Sequence, residues 1–143
     1  MVSLVDPVEA VERLVYAYAD LLDRGDLDGV AQLFERATWR SGQRVLTGVQ
    51  EVRTAYQGVQ IGVDGRPGTQ HVITNLSITI DPGGGSASSR CYFTVLQGSE
   101  AILAGRYHDT FATDGEAERP GDWYFTDRLF LPDLRGDLFS HYR

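Results

Sequence analysis

The chain has few of the residues from which disulfide frameworks and metal centres are built. Cys91 is the only cysteine among 143 residues, so no internal disulfide can form. It alternates with Phe93 and Val95 as inward positions of a β-strand do, which favours a buried thiol over a nucleophile. None of the three histidines stands at zinc-ligand spacing from another or from this cysteine. The composition therefore predicts neither a metal site nor a disulfide.

Positive charge is also scarce. The chain has 13 Lys and Arg against 20 Asp and Glu, for a formal net charge of −7, and its basic residues form no run. Nucleic-acid-binding surfaces concentrate positive charge, so nucleic acid is not an expected partner. The expected partners are a small-molecule substrate and further copies of the chain, as a homodimer or homotrimer.

Long apolar runs and phosphate-binding loops are missing too. No stretch approaches the roughly 18 apolar residues of a membrane-spanning helix, and the start Met-Val-Ser-Leu-Val-Asp has no signal-peptide pattern. A cytoplasmic location and no membrane contact are therefore expected. No Gly-x-Gly-x-x-Gly motif occurs, and Gly83-Gly-Gly85 is typical of a turn rather than of a phosphate loop. We expect no cofactor.

The N-terminal third predicts helices. Asp6-Pro7 starts a helix, and apolar residues recur at three- and four-residue spacing from Val8 to Leu22. Gly25 ends this helix, and Asp26 caps a short second one. After a short strand pair around Trp39, a third helix is predicted over Val49 to Tyr56.

The rest of the chain predicts strands. After a glycine-rich loop over residues 58–68, a possible lid, four alternating runs follow: Gln70 to Ile80, Ala87 to Gln97, Ala101 to Ala112 and Asp122 to Leu131. Their short links predict an antiparallel meander. Helices followed by a meander indicate one α+β domain over residues 1–143, a cone-shaped barrel of a strongly curved sheet wrapped around the N-terminal helices. The tail with Leu138 and Phe139 is expected to dock on a neighbouring subunit.

The strand segment Gly68-Thr-Gln-His-Val-Ile-Thr-Asn75 carries the candidate catalytic group. Histidine changes its charge near neutral pH, so His71 is suited to proton transfer. Asp23 is its candidate partner, because an acid at a helix C-terminus opposes the helix dipole and this hints at function. Strict alternation places Val72, Leu76 and Ile78 opposite His71. A β-bulge, or an outer sheet face buried in an oligomer, would reconcile an inward His71 with that apolar face.

Six further side chains are candidates for substrate contact. The curved sheet is expected to enclose a hollow, lined by Tyr18, Trp39 and Tyr92. Asn75 shares its strand with His71. His108 has the strand parity of Arg106, and this pair faces either the pocket or an interface. Asp109 falls on the other face, where a structural pair with Arg128 is expected.

The order of these elements and residues resembles the SnoaL-like group of the nuclear transport factor 2-like superfamily, also called the ketosteroid isomerase and scytalone dehydratase superfamily. The likeness spans nearly the whole chain through short motifs: Tyr18 to Asp26, Leu33-Phe34, Gly48, Thr69-Gln-His71, Asn75, Gly105 to Asp109, and Trp123 with Arg128.

The resemblance implies roles for two residues. In scytalone dehydratase and in the hexachlorocyclohexane dehydrochlorinase, an aspartate at the end of the first helix pairs with a strand histidine that removes a proton, which corresponds to Asp23 and His71. Scytalone dehydratase uses two tyrosines to polarise the carbonyl of its substrate through water. Leu22 and Trp39 stand at those two places, so the resemblance does not imply this contact here. Its second histidine aligns near Leu96 and its pocket asparagine near Arg106, where a guanidinium can stabilise an oxyanion or orient an acidic substrate.

The expected function is therefore a cofactor-independent lyase, dehydratase-like, acting on a small cyclic or polyketide-like substrate. A polyketide or polyether cyclase or an isomerase is an alternative that uses the same hollow. A non-catalytic small-molecule-binding or assembly module is an alternative of another class. That last reading expects Asp23 and His71 to lie too far apart to hydrogen-bond, and a hollow filled by side chains.

Overall fold

Three helices and six strands make up the computed structural model, which describes residues 5–115 and 117–136. The C-terminal segment with Leu138 and Phe139, expected to dock on a neighbour, lies outside the described residues. The elements in chain order are α1 Pro7–Asp23, α2 Leu27–Gln32, β1 Thr38–Ser41, β2 Arg44–Thr47, α3 Gly48–Tyr56, β3 Thr69–Ile80, β4 Ser86–Gln97, β5 Glu100–Thr113, a short 3₁₀ helix Pro120–Asp122, and β6 Trp123–Arg135. None of the described helices is long and apolar enough to span a bilayer.

All six strands form one sheet in the order β2-β1-β6-β5-β4-β3. Strands β3 to β6 are the antiparallel meander that the sequence predicts. Strand β1 joins it beside β6 in a parallel pair, in which Trp39 pairs with Arg128, 89 residues further along the chain. Local pattern does not reveal a pairing between segments so far apart. The predicted α+β fold, with a curved sheet around N-terminal helices, is confirmed.

The end of α1 is held by a close backbone contact. Gly25 has a φ of 80°, a conformation that glycine adopts without strain. A Cβ atom at Gly25 would lie 2.2 Å from the carbonyl oxygen of Gly65, so the loop over residues 58–68 packs directly on this turn. Asp26 accepts a hydrogen bond from the backbone N–H of Gly29 and is the predicted cap of α2. The helix therefore stops at Asp23, beside the start of β3.

A β-bulge in β3 decides which side chains face inward. Thr74 pairs with Tyr92 but Ser77 pairs with Arg90, so β3 holds one extra residue, and Asn75 takes a positive φ of 55° there. The bulge reverses the alternation. His71 and Ile73 therefore face inward before the bulge, and Leu76, Ile78 and Ile80 pack on the core after it.

This inward packing corrects one expectation. The sequence placed Leu76 and Ile78 on an outer face whose apolar surface would favour association, but both side chains pack on the protein's own core. Self-association as a homodimer or homotrimer stays a prediction, and these two residues no longer support it.

Candidate functional site

A cavity of about 370 Å³ opens between the helices and the concave face of the sheet. Most of its wall is apolar or aromatic, with one imidazole, three tyrosines and two arginines among the polar groups. It is lined by Tyr18, Leu22, Trp39, Ser41, Arg44, Leu46, Ala55, Tyr56, Val59, His71, Val95, Leu103, Tyr107, Phe130, Pro132 and Arg135. An apolar hollow with a few converging polar groups is the usual form of a small-molecule site.

Asp23 and His71 meet at the wall of this cavity. The Asp23 Oδ1 atom lies 2.6 Å from His71 Nδ1, and Oδ2 accepts the backbone N–H of His71 at 2.7 Å. The hydroxyl of Thr69 donates to Oδ1 at 2.9 Å. The carboxylate is thus held by three donors from the first residues of β3. Only 4% of the His71 side chain and 21% of the Asp23 side chain are exposed, so the pair is largely shielded from water.

The carboxylate determines which ring nitrogen of His71 is available for chemistry. An ionised carboxylate only accepts hydrogen bonds, so in the neutral ring Nδ1 carries the proton and Nε2 keeps its lone pair. None of the described residues hydrogen-bonds Nε2. Because His71 lines the cavity, Nε2 is placed to take a proton from a bound molecule, and Asp23 stabilises the imidazolium that results.

The pKa of Asp23 is shifted by the same contacts. Burial would raise the pKa of Asp23, but the hydrogen bonds from the ring and backbone of His71, the charge of His71 and the Thr69 hydroxyl outweigh burial, so this pKa lies below its ordinary value. A carboxyl group whose pKa is lower in the folded state stabilises the fold above its unfolded pKa. That contribution is lost as pH falls through the folded pKa.

The pH dependence of unfolding gives a first test. Asp23→Asn is expected to reduce the free energy of unfolding at about pH 7, and the gap from the wild type should close towards about pH 3, below the unfolded pKa of aspartate near 3.9. Urea unfolding at the two pH values measures the gap. A gap that is equal at both would show that the contacts of Asp23 do not favour its charged form.

Two tyrosine hydroxyls meet in the cavity that His71 lines. The hydroxyls of Tyr18 and Tyr56 lie 2.6 Å apart, and the Tyr18 ring meets the His71 ring edge to face at 6.2 Å. Burial raises the pKa of Tyr56 well above its ordinary value, and the neighbouring Tyr18 hydroxyl raises it further. Tyr56 therefore stays protonated and is a hydrogen-bond donor at neutral pH. The indole of Trp39 lies near the Tyr56 hydroxyl and partly offsets this rise in the pKa of Tyr56.

Sequence reasoning named Tyr18 for this wall but missed Tyr56. A signal was present in the spacing of Val49, Val52 and Tyr56, which lie at positions i, i+3 and i+7 of α3 and so share one helix face. That face packs on the core, where Val52 is fully buried, and Tyr56 extends it to the cavity.

A buried ion pair lies behind the tyrosines. Arg128 donates from Nε and Nη2 to the two carboxylate oxygens of Asp109 at 2.8 and 2.9 Å, and both side chains are 0% exposed. This is the structural pair that the sequence predicted. The guanidinium carbon lies 3.8 Å from the ring centroid of Tyr107 and 4.3 Å from that of Tyr18, so Arg128 fixes the tyrosines by cation–π contact. Burial would lower the pKa of Arg128, but the carboxylate of Asp109 more than compensates and keeps this pKa above its ordinary value.

Four sequence-predicted contacts lie outside the cavity. Asn75 is exposed at the bulge, Tyr92 is 52% exposed, and Arg106 forms a bidentate pair with Asp133 at 2.8 and 3.0 Å. His108 lies on the same outer face as Arg106. The inward positions are the odd-numbered ones in β4 and, from Gly105 onwards, in β5, so Tyr92, Arg106 and His108 point away from the helices. The expectation that Asn75, Tyr92, Arg106 and His108 bind a substrate in this hollow is therefore corrected, whereas Tyr18 and Trp39 line it.

Metal ligands and nucleophiles do not cluster in this part of the fold. Within residues 5–115 and 117–136, no three His, Cys, Asp or Glu side chains lie close enough to hold a metal ion. Cys91 is 3% exposed, and burial raises the pKa of its thiol to about 11. Its thiol therefore stays protonated at neutral pH and is a packing group, as predicted.

Comparisons with known proteins agree with this fold. A family described as the SnoaL-like domain matches residues 5–129. No curated protein sequence matches this chain. The match confirms the resemblance drawn from the sequence.

Solved structures share the architecture at low sequence identity. A protein of unknown function with a cystatin-like fold from Nostoc punctiforme has a TM-score of 0.71 and 17% identity, over 92% of this chain and 96% of that one. A protein of unknown function from Mycobacterium tuberculosis has a TM-score of 0.69 and 19% identity, over 88% and 71%. A protein described as a candidate dehydratase of the nuclear transport factor 2-like family from Streptomyces avermitilis has a TM-score of 0.62 and 17% identity, over 90% and 99%. At such identities the likeness shows the fold alone.

Proposed function

We propose, from the premise that the chain belongs to the family of SnoaL-like domains, that it is a cofactor-independent lyase of the dehydratase type. Its substrate is a small cyclic or polyketide-like molecule with a carbonyl group. The observation that carries the proposal is the contact of 2.6 Å between Asp23 and His71 at the wall of the cavity. The description of the Streptomyces avermitilis neighbour as a candidate dehydratase supports this class.

The proposed reaction uses three groups. His71 Nε2 removes the proton on the carbon beside the carbonyl, and the electrons of that C–H bond move to the carbonyl oxygen. The Tyr56 hydroxyl, paired with Tyr18, stabilises the developing oxyanion in place of Arg106, which lies outside the cavity. The imidazolium then returns the proton to the hydroxyl on the next carbon. The carbonyl then re-forms, the electrons of the enolate make a C=C bond between the two carbons, the C–O bond to the protonated hydroxyl breaks, and water leaves.

Asp23→Asn tests the positioning role of the carboxylate. Because an amide supports the wrong tautomer and does not stabilise the imidazolium, kcat on an identified substrate is expected to fall at least roughly tenfold. Asp20→Asn is the matched control, since Asp20 lies on the same helix with an exposed side chain paired to Arg24. Equal turnover by the two variants would refute the positioning role.

Tyr56→Phe tests the proposed oxyanion donor. The ring is kept and only the hydroxyl is lost, so the fold should survive while kcat falls by about a hundredfold, the usual loss for one oxyanion donor. KM should change little, because the hydroxyl acts on charge that develops in the transition state. Tyr124→Phe, whose hydroxyl contacts Asp114 away from the cavity, is the control. A kcat for Tyr56→Phe like that of the control would remove Tyr56 from the mechanism.

Two other functions compete with dehydration. A cyclase or isomerase would use the same base and conserve the mass of its substrate, whereas a dehydratase product is lighter by one water, so mass spectrometry of the product separates them. A purely binding module was expected to hold Asp23 and His71 apart and to fill the hollow. The contact of the two side chains and the open cavity support an enzyme over that alternative.

A further inference from the structure

Two arginines border the cavity without an ion pair to any residue that the structure describes. The chain contains no lysine, so all 13 of its basic residues are arginines. Of the twelve that the structure describes, seven form ion pairs with carboxylates. Arg44 and Arg135 are among the remaining five, and both line the cavity and are exposed at its edge. In a chain with a net charge of −7, unpaired positive charge at this place needs an explanation.

Strand register places Arg135 in line with His71. His71 pairs with Val95, Val95 with Leu103, and Leu103 with Arg135, and all four side chains line the cavity. Neighbouring strands lie about 4.8 Å apart, so the row extends for roughly 14 Å along the curved sheet. The imidazole stands at one end of an apolar trough and the guanidinium at the other.

Arg44 supplies a second guanidinium from the edge strand β2, two strands away from β6 in the same sheet. It lies on β2 and pairs in register with Ser41 of β1, and both residues line the cavity. No Asp or Glu side chain of the described residues lines it with them. A guanidinium that faces an apolar pocket without a carboxylate is suited to bind an oxyanion in bidentate form.

We propose that this cavity takes substrates with an apolar body and a carboxylate, and that Arg135, assisted by Arg44, binds the carboxylate at the end remote from His71. This inference rests on the proposed function for the choice of the reacting end. The body lies between Val95, Leu103 and the stacked rings of Trp39 and Phe130, whose centroids are 5.3 Å apart. The arginines then determine both which molecules bind and which of their carbons faces the base.

A pair of probes tests the charge preference without any turnover. Naphthalene carboxylate and the corresponding neutral carboxamide have the same aromatic body, and their binding to the whole chain is measured by calorimetry. We expect the carboxylate to bind about tenfold more tightly, as a charge-assisted hydrogen bond allows. Arg135→Gln and the double variant with Arg44→Gln should lose that preference and leave carboxamide binding unchanged. Arg90→Gln should keep that preference, because Arg90 is exposed, lies outside the cavity and forms no ion pair within the described part of the chain.

The outcomes separate this inference from the proposed reaction. Equal affinity for the two probes, no binding of the carboxylate, or a preference that survives in the double variant would each overturn the inference. Proton transfer by His71 would stand in those cases, because the probes do not react. Retention of the wild-type melting temperature in Arg135→Gln shows that any loss is one of binding rather than of folding.

Discussion

His71→Ala is expected to lower kcat by about a hundredfold to ten-thousandfold, the range that loss of a general base produces. Among the described residues of the cavity wall, the imidazole is the one group with a free lone pair that an adjacent carboxylate orients. Alanine removes both the base and the hydrogen bond to Asp23. The measurement is turnover of an identified substrate, with circular dichroism to show that the fold is kept.

The matched control is His108→Ala. It removes the same side chain from the outer face of the sheet, outside the cavity that His71 lines. Burial and the charges of Arg90 and Arg106 lower the pKa of His108 there. We expect turnover of His108→Ala close to that of the wild type. If both histidine variants kept full turnover, the cavity would not be a proton-transfer site.

Arg128→Met is expected to cause the largest loss of stability, about 3–5 kcal/mol in the free energy of unfolding. The substitution leaves the Asp109 carboxylate fully buried without its bidentate partner and removes the cation beneath the rings of Tyr18 and Tyr107. Urea unfolding, with an unchanged slope against urea concentration as the check on two-state behaviour, measures the loss.

Two further variants show whether the unpaired charge is the cause. The double variant Arg128→Met with Asp109→Leu should recover part of the loss, because no charge then remains buried. Arg106→Met breaks a bidentate pair of similar geometry, but that pair is exposed on the outer face, so it should cost much less. A double variant less stable than Arg128→Met would show that packing of the guanidinium, and not its charge, holds this part of the core.

Local pattern was enough to predict the helices and the meander. Asp6-Pro7, Gly25 and Asp26 act through their own backbone conformation and nearest neighbours, so α1 and α2 begin and end close to the predicted residues. The dyad was also predictable, since the resemblance pairs Asp23 with His71. The parallel pairing of β1 with β6 was not, because it depends on contacts between distant parts of the chain.

The errors at the site arise where the folded sheet, rather than local pattern, decides the geometry. Which face of a strand lies inward depends on how the strand pairs, and a single extra residue at Asn75 reverses the alternation within β3. Alternation along β5 shows that Arg106 and His108 share one face and Tyr107 the other. It does not show which of the two faces lies towards the cavity. Tyr56, Arg44 and Arg135 come from three separate elements, and only the folded sheet brings them around one hollow.

The tautomer of His71 tests the central claim most directly. Long-range ¹⁵N–¹H spectra of the protein with labelled histidine, recorded at a pH where the ring is neutral and assigned with His71→Gln, report which ring nitrogen carries the proton. We expect the proton on Nδ1, hydrogen-bonded to Asp23, and a bare Nε2 facing the cavity, with this preference lost in Asp23→Asn. A proton on Nε2 in the wild type would contradict the role of His71 as the base.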